Sequence, residues 1–302
     1  MAKTFSKILF YRHELVGSVS KAEMLYKTNL VALVGGGKKP RFPDNVVMVY
    51  DDKQQEFVLE LSLTETVLSV RLKRDKLVAV CRSEIHVFSF PNRCQNLFKV
   101  TTRDNPRGLC ELSSIRMGAI DNSIDLMVFP GYKTGSVQLL NLATTEQKVS
   151  SSPVTINAHQ NELCCLAINQ QGTMIATASV KGTLIRIWDS VQRVMLVELR
   201  RGSDPAILYC INFSIGDEWL CCSSDKGIVY ESYVKMGLEW IEGGQFFPNC
   251  RGIPNALVCG NKFLLLLRGY RMGKNAFFAL RITFLGPTLP KFSPTFFRAW
   301  TI

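Results

Sequence analysis

Two stretches of the chain are versions of one another. "LCCLAINQQGTMIATASVKG", from Leu163, aligns without a gap on "LYCINFSIGDEWLCCSSDKG", from Leu208, at an offset of 45 residues. Leu163 meets Leu208, Cys165 meets Cys210, Ser179 meets Ser224, Lys181 meets Lys226 and Gly182 meets Gly227. A third unit ending "YKTGSVQLLNL" fits a similar spacing, with Gly135 at the Gly182 position. A repeat of about 40–45 residues limits a chain to a few architectures, because each unit must bury its apolar face against the next. The local pattern selects one of them. Short runs of Val, Ile, Leu and aromatics such as "VVMVYDD", "FVLELSL" and "DLMVFPGYKTGSVQLLNLAT" alternate with turn residues, and helical periodicity is nearly absent. Four strands per unit at this period describe an all-β, WD-type β-propeller, in which radial stacking leaves few exposed sheet edges.

Counting outward from the repeat predicts blades at about 22–63, 65–103, 105–155 and 158–202, and a partial one at 206–227. Length leaves nominal room for about seven such units. The propeller therefore reads as residues 1–227 with a short atypical start, and residues 228–302 read as a separate tail. From residue 231 that tail has no Asp or His, nine Lys or Arg against three Glu, and nine of the eighteen phenylalanines. The repeat does not extend into it by inspection.

Charge narrows the function classes. A formal net charge of +11 favours a polyanionic partner: nucleic acid, a phosphorylated ligand or an acidic membrane surface. The ten cysteines include two adjacent pairs, Cys164-Cys165 and Cys221-Cys222, and no C-x-x-C, which argues against zinc and against a disulfide framework. In apolar runs they read as small buried hydrophobes. The opening "MAKTFSKILFYRHELVG" is broken by Arg12 and His13 and does not make a signal peptide. "KFLLLLRG" is far shorter than the roughly 20 residues that span a bilayer. A soluble, reducing compartment, the cytosol, is the expectation.

Catalytic motifs fail on inspection. "LVGGGKKP" has Ala32 where a phosphate-binding loop needs glycine, and Lys39 where it needs Ser or Thr; a wide turn between strands is the simpler reading. "HELVG" at His13 is half of a zinc-protease motif, since Gly17 replaces the second histidine. No metal set, cofactor site or acid–base–nucleophile group emerges, so an enzyme is not expected. Nucleic acid is disfavoured because aromatics are not interleaved with the basic stretches. The donor-rich segment is instead "ATASVKGTLIRIW" followed by "VELRRG". Hydroxyls, glycine turns and arginines are the usual donors to phosphate. Thr177 and Ser179 alternate onto one strand face, Arg186 lies across the Gly182 turn, and Arg200 and Arg201 must point to opposite sides.

Those motifs, with "EMLYKTNLVALVGGGKKPRFP", "TRDNPRGLCEL", "VFPGYKTGSVQLLNLAT" and "INAHQNE", resemble the PROPPIN family from about His13 to Gly227, in particular its animal WIPI branch with Leu before Arg-Arg-Gly. The resemblance implies a seven-bladed propeller, of which about five blades are recognisable. It implies binding of phosphatidylinositol 3-phosphate and phosphatidylinositol 3,5-bisphosphate, recruitment from the cytoplasm to forming autophagic membranes, and linkage to autophagy factors, among them a lipid-transfer protein. By position it assigns one head-group pocket to Thr177, Ser179, Gly182, Thr183, Arg186 and Arg200, with His159 as a neighbour. It assigns a second to Arg201, Gly202 and Ser224. Ile228 and Tyr230 stand where that second pocket has a threonine and a histidine. Both ends depart from the family, which reads as a truncated or alternatively spliced product or a gene-model error, with a Phe- and Lys/Arg-rich tail serving as a substitute membrane contact as the other reading. A propeller scaffold with impaired lipid binding is the alternative function.

Overall fold

The structure, a computed structural model, describes residues 12–14, 17–25, 28–114, 124–143, 153–214, 217 and 219–226, and the backbone of six later strands. Its order follows the sequence sheet by sheet. Strands β2 to β5 (Val19–Met24, Leu30–Gly35, Val46–Asp51, Glu56–Ser62) form the first antiparallel sheet. Strands β6 to β9 (Ser69–Leu72, Lys76–Val80, Glu84–Ser89, Asn96–Thr101) form the second. The third holds β10 to β13 (Glu111–Leu112, Leu126–Pro130, Ser136–Asn141, Val154–Asn157). The fourth holds β14 to β17 (Leu163–Ile168, Met174–Ser179, Leu184–Asp189, Met195–Arg200), and the fifth β18 to β21 (Leu208–Phe213, Trp219–Ser224, Ile228–Tyr233, Ile241–Gln245).

The tail's backbone also pairs. β22 to β25 (Ala256–Gly260, Phe263–Met272, Asn275–Phe284, Ala299–Thr301) make a five-stranded sheet with β1 (Arg12–Glu14), which runs parallel to β25. Ile228–Tyr233 and Ile241–Gln245, part of the tail by sequence, supply the outer strands of the fifth sheet.

The 45-residue offset survives at atomic detail. Leu163 pairs with Ser179 and Leu208 with Ser224, and each ladder carries an irregularity one step later, at Cys165 and Cys210. A bulge at the same place in both copies turns a sequence repeat into a repeated kink. The core lies between successive sheets. Ala32, Val34, Val47 and Val49 of the first pack on Val70, Leu77 and Ala79 of the second. Val78, Val80 and Val87 meet Met127, Phe129 and Leu140 of the third. Cys165, Ala176, Ala178 and Ile187 of the fourth meet Ile211, Leu220 and Cys222 of the fifth. The inner strands of a propeller sheet are covered on both faces, which explains continuous apolar runs where a half-exposed strand would alternate. Cys164, Cys165, Cys221 and Cys222 are buried and form no disulfide.

An ion network also joins the sheets. Arg71 on β6 bonds Glu111 of β10 at 2.6 Å and lies 3.9 Å from Glu23 of β2. Burial raises the Glu23 carboxyl to about 7, against the opposing pull of Arg71. Among the described residues there is no metal-ligand cluster, and no helix long and apolar enough to cross a membrane.

Candidate functional site

The donor-rich residues converge where the fourth sheet ends against the fifth. β15 carries Thr177 and Ser179, β16 carries Arg186 directly opposite Thr177, and β17 ends in Arg200 opposite Leu184. The β15–β16 turn closes through Gly182, whose N–H donates to the Ser179 carbonyl at 2.8 Å. Glycine is required there. Its φ is +68°, and a Cβ would sit 1.8 Å from the Ala206 carbonyl oxygen.

Arg200 and Arg201 diverge, as strand alternation predicts. Arg200 is exposed, and its side chain makes no hydrogen bond or ion pair with any described residue. Arg201 is buried. Its N–H donates to the Thr183 carbonyl at 2.9 Å, its Nε donates to the Gly182 carbonyl at 2.6 Å, and Nη2 donates to the Asp204 carbonyl. One guanidinium is free in solvent; its neighbour ties the turn to the loop that enters the fifth sheet.

The hydroxyls also divide, and that of Thr177 is engaged within the sheet. Its Oγ1 lies 2.9 Å from His159 Nε2, accepts from Trp188 Nε1 at 3.0 Å and reaches the Arg186 carbonyl at 3.3 Å. The residue is 1% exposed. Its oxygen is filled from inside the sheet, so Thr177 and His159 brace the pocket wall from behind. Ser179 and Thr183 are different: neither hydroxyl has a partner among the described residues. Arg186, half-buried, donates to Glu198 Oε2 at 2.8 Å and to the Ala158 carbonyl at 2.6 Å. It frames the pocket more than it opens into it. Trp188 was not singled out by sequence, though "RIW" placed its indole two residues after Arg186, on the same strand face.

In the second pocket, Gly202 has open space where a Cβ would be, and the buried Ser224 accepts from the Lys226 N–H at 3.4 Å. Gly227 and the side chains of Ile228 and Tyr230 lie outside the described residues.

Burial holds the His159 imidazole down to about 4, the main cause, with the nearby Arg186 charge acting the same way and the Thr177 hydrogen bond opposing. The sign follows. A histidine whose folded pKa lies below its unfolded value favours folding while neutral, and that contribution is lost as pH falls from about 6.5 through 4. Melting at pH 5 should therefore fall further below its pH 7.5 value in the wild type than in His159→Gln. Equal shifts in the two proteins would show that the imidazole is not the titrating group.

Five antiparallel four-stranded sheets succeeding one another, with hydroxyls and arginines gathered at one boundary, define a β-propeller. The chain matches the PROPPIN family model over residues 11–236 and belongs to the PROPPIN family. It is 35% identical over 214 residues to SVP1-like protein 2 of Pichia angusta, covering 71% of this chain and 58% of that one. It is 34% identical over 210 residues to Autophagy-related protein 18e of Arabidopsis thaliana, covering 69% and 53%. The chain thus spans little more than half the length of these curated relatives. Kluyveromyces lactis Hsv2 has the same fold, with a TM-score of 0.67 at 21% identity over 88% of this chain and 85% of that one.

Proposed function

We propose that the protein is a non-catalytic phosphoinositide effector of autophagic membranes. It takes the head groups of phosphatidylinositol 3-phosphate and phosphatidylinositol 3,5-bisphosphate at the boundary of its fourth and fifth sheets. The observation that carries this reading is the set of unfilled donors at one edge: the Arg200 guanidinium and the Ser179 and Thr183 hydroxyls. Buried hydroxyls such as those of Ser179 and Thr183 are normally paired, and a phosphate monoester supplies acceptor oxygens for them and for the exposed Arg200 guanidinium. Arg186 and the Gly182 turn fix the pocket's shape, while Thr177 and His159 hold its wall. Arg201, Gly202 and Ser224 form the neighbouring second pocket. Family membership supports the same ligand class and a cytosolic protein recruited to membranes, where its partners are autophagy factors, a lipid-transfer protein among them.

Two pockets on one membrane act through avidity. Each charge-assisted bond is worth about 1.5–3 kcal/mol net, and simultaneous engagement raises affinity by a further 10²–10⁴, on the order given by effective-concentration arguments.

The single variants separate binding from folding. Arg200→Ala should reduce co-sedimentation with vesicles carrying phosphatidylinositol 3-phosphate by roughly tenfold or more, with the melting temperature unchanged. Arg201→Ala should lower the melting temperature as well, by several degrees, because two carbonyl bonds are lost. Undiminished vesicle binding by folded Arg200→Ala would favour the other reading, a propeller scaffold without useful lipid affinity.

A further inference from the structure

A second basic cleft lies away from the pockets above, between the loop joining β9 to β10 and the β11–β12 turn. It has a volume of about 50 Å³ and is lined by Arg103, Arg107 and Lys133 together with Thr134, Glu162 and Asp104. We propose that this cleft is a third phosphate-monoester site, independent of Arg200 and Arg201.

Its cations are unequal. Arg103 is committed: Nη1 donates to Thr134 Oγ1 at 2.6 Å and to the Tyr132 carbonyl at 3.3 Å. Arg107 and Lys133 are exposed, and neither side chain makes a hydrogen bond or ion pair with any described residue, although the Lys133 carbonyl accepts from the Ser136 N–H at 3.0 Å and from its hydroxyl at 2.6 Å. Thr134 Oγ1 accepts from Arg103 and still has its hydroxyl hydrogen to donate. The acidic neighbours are largely answered. Arg82 grips Asp104 through Nε at 2.5 Å and Nη2 at 3.0 Å, holding its carboxyl below the ordinary range. Glu162 lies 3.9 Å from Arg103 Nη2.

The turn adds backbone donors. The N–H groups of Lys133, Thr134 and Gly135 donate to no atom of the described residues. Gly135 has φ +72°, and a left-handed residue in a tight turn gathers successive N–H groups into an anion-binding concavity. A Cβ at Gly135 would lie 1.9 Å from the His159 carbonyl oxygen, so the turn is pressed onto the next loop as the Gly182 turn is pressed onto Ala206. The third sheet therefore repeats the glycine-turn geometry of the proposed head-group pocket, with its own free lysine and arginine in place of Arg200. Free donors of this kind, two cations and a hydroxyl around a nest, match a dianionic phosphoryl group.

Two sources present that group, a membrane lipid head group or a free phosphorylated inositol. The test uses the full chain carrying Arg200→Ala, so that failure of the proposed function leaves this cleft measurable. Calorimetric titration with inositol 1,3-bisphosphate reads the free ligand. Co-sedimentation with phosphatidylcholine vesicles, with and without phosphatidylinositol 3-phosphate, reads the membrane. Adding Arg107→Ala and Lys133→Ala is expected to weaken the remaining binding at least tenfold, with melting unchanged since neither side chain has a partner to lose. Adding Lys38→Ala and Lys39→Ala, an equal charge loss on an exposed turn of the first sheet, should leave it intact. Loss with the soluble probe alone assigns the site to free phosphates; loss with vesicles alone assigns it to lipid. No binding by the Arg200→Ala chain, no effect of the cleft pair, or an equal effect of the control pair would each overturn the proposal.

Discussion

In a chain that already carries Arg107→Ala and Lys133→Ala, replacing Arg200 and Arg201 together by alanine is expected to bring binding to phosphatidylinositol 3-phosphate vesicles below detection. The two guanidiniums leave adjacent backbone positions in opposite senses, one into solvent and one against the Gly182 and Asp204 carbonyls. Removing the first deletes a donor with no other employment. Removing the second loosens the turn that shapes both pockets. Two charge-assisted bonds at about 1.5–3 kcal/mol each correspond to a loss of two to four orders of magnitude, before the avidity of paired pockets is counted. Arg200→Lys separates charge from geometry, because lysine keeps the charge and gives up the planar fork that grips two phosphate oxygens. Partial retention by Arg200→Lys, with none by the double alanine variant, is the expected pattern in co-sedimentation. A folded double variant that still sediments with those vesicles would remove the arginine pair from the binding site.

Much of this was legible before any coordinates. The 45-residue offset gave the unit, and the matching irregularities at Cys165 and Cys210 show why it is so regular: the same kink recurs in each copy. The divergence of Arg200 and Arg201 followed from the period of a strand. Thr177 shows the limit of that same rule. Alternation put Thr177 and Ser179 on one face, which is correct, yet a face changes character along its length. At Thr177 it is closed by His159 and Trp188; at Ser179, next to the turn, the side chain is also buried but its hydroxyl has no partner among the described residues. The deciding groups come from a loop 18 residues earlier and a strand 11 residues later, and no local pattern reports such meetings. The tail was opaque for another reason. Its two ten-residue strands, Phe263–Met272 and Asn275–Phe284, exceed the six-residue strands of the repeat and pair partly with Arg12–Glu14 through β25. A period counted along the chain misses a sheet assembled from both of its ends.

Gly182→Ala should disable both pockets at once through the backbone, with every phosphate-facing side chain still present. The added Cβ meets the Ala206 carbonyl oxygen at 1.8 Å, a backbone atom that cannot swing aside. The φ of +68° is also one that an L-residue with a side chain adopts only under strain. Either the turn lifts off the loop or the loop shifts, and both Arg201 carbonyl contacts go with it. Such strain with lost bonds belongs among the larger single-residue effects, about 3 kcal/mol or more. Chemical denaturation should show it directly, and vesicle binding should fall in a protein whose Ser179, Thr183, Arg200 and Arg201 are untouched. Gly202→Ala is the matched comparison, since nothing lies within 4 Å of its Cβ position. It should leave the denaturation midpoint in place and reduce lipid binding only where a phosphate must approach that backbone. Equal stability losses for the two glycines would place the constraint in chain flexibility, and the Gly182 turn would no longer serve as the hinge between the pockets.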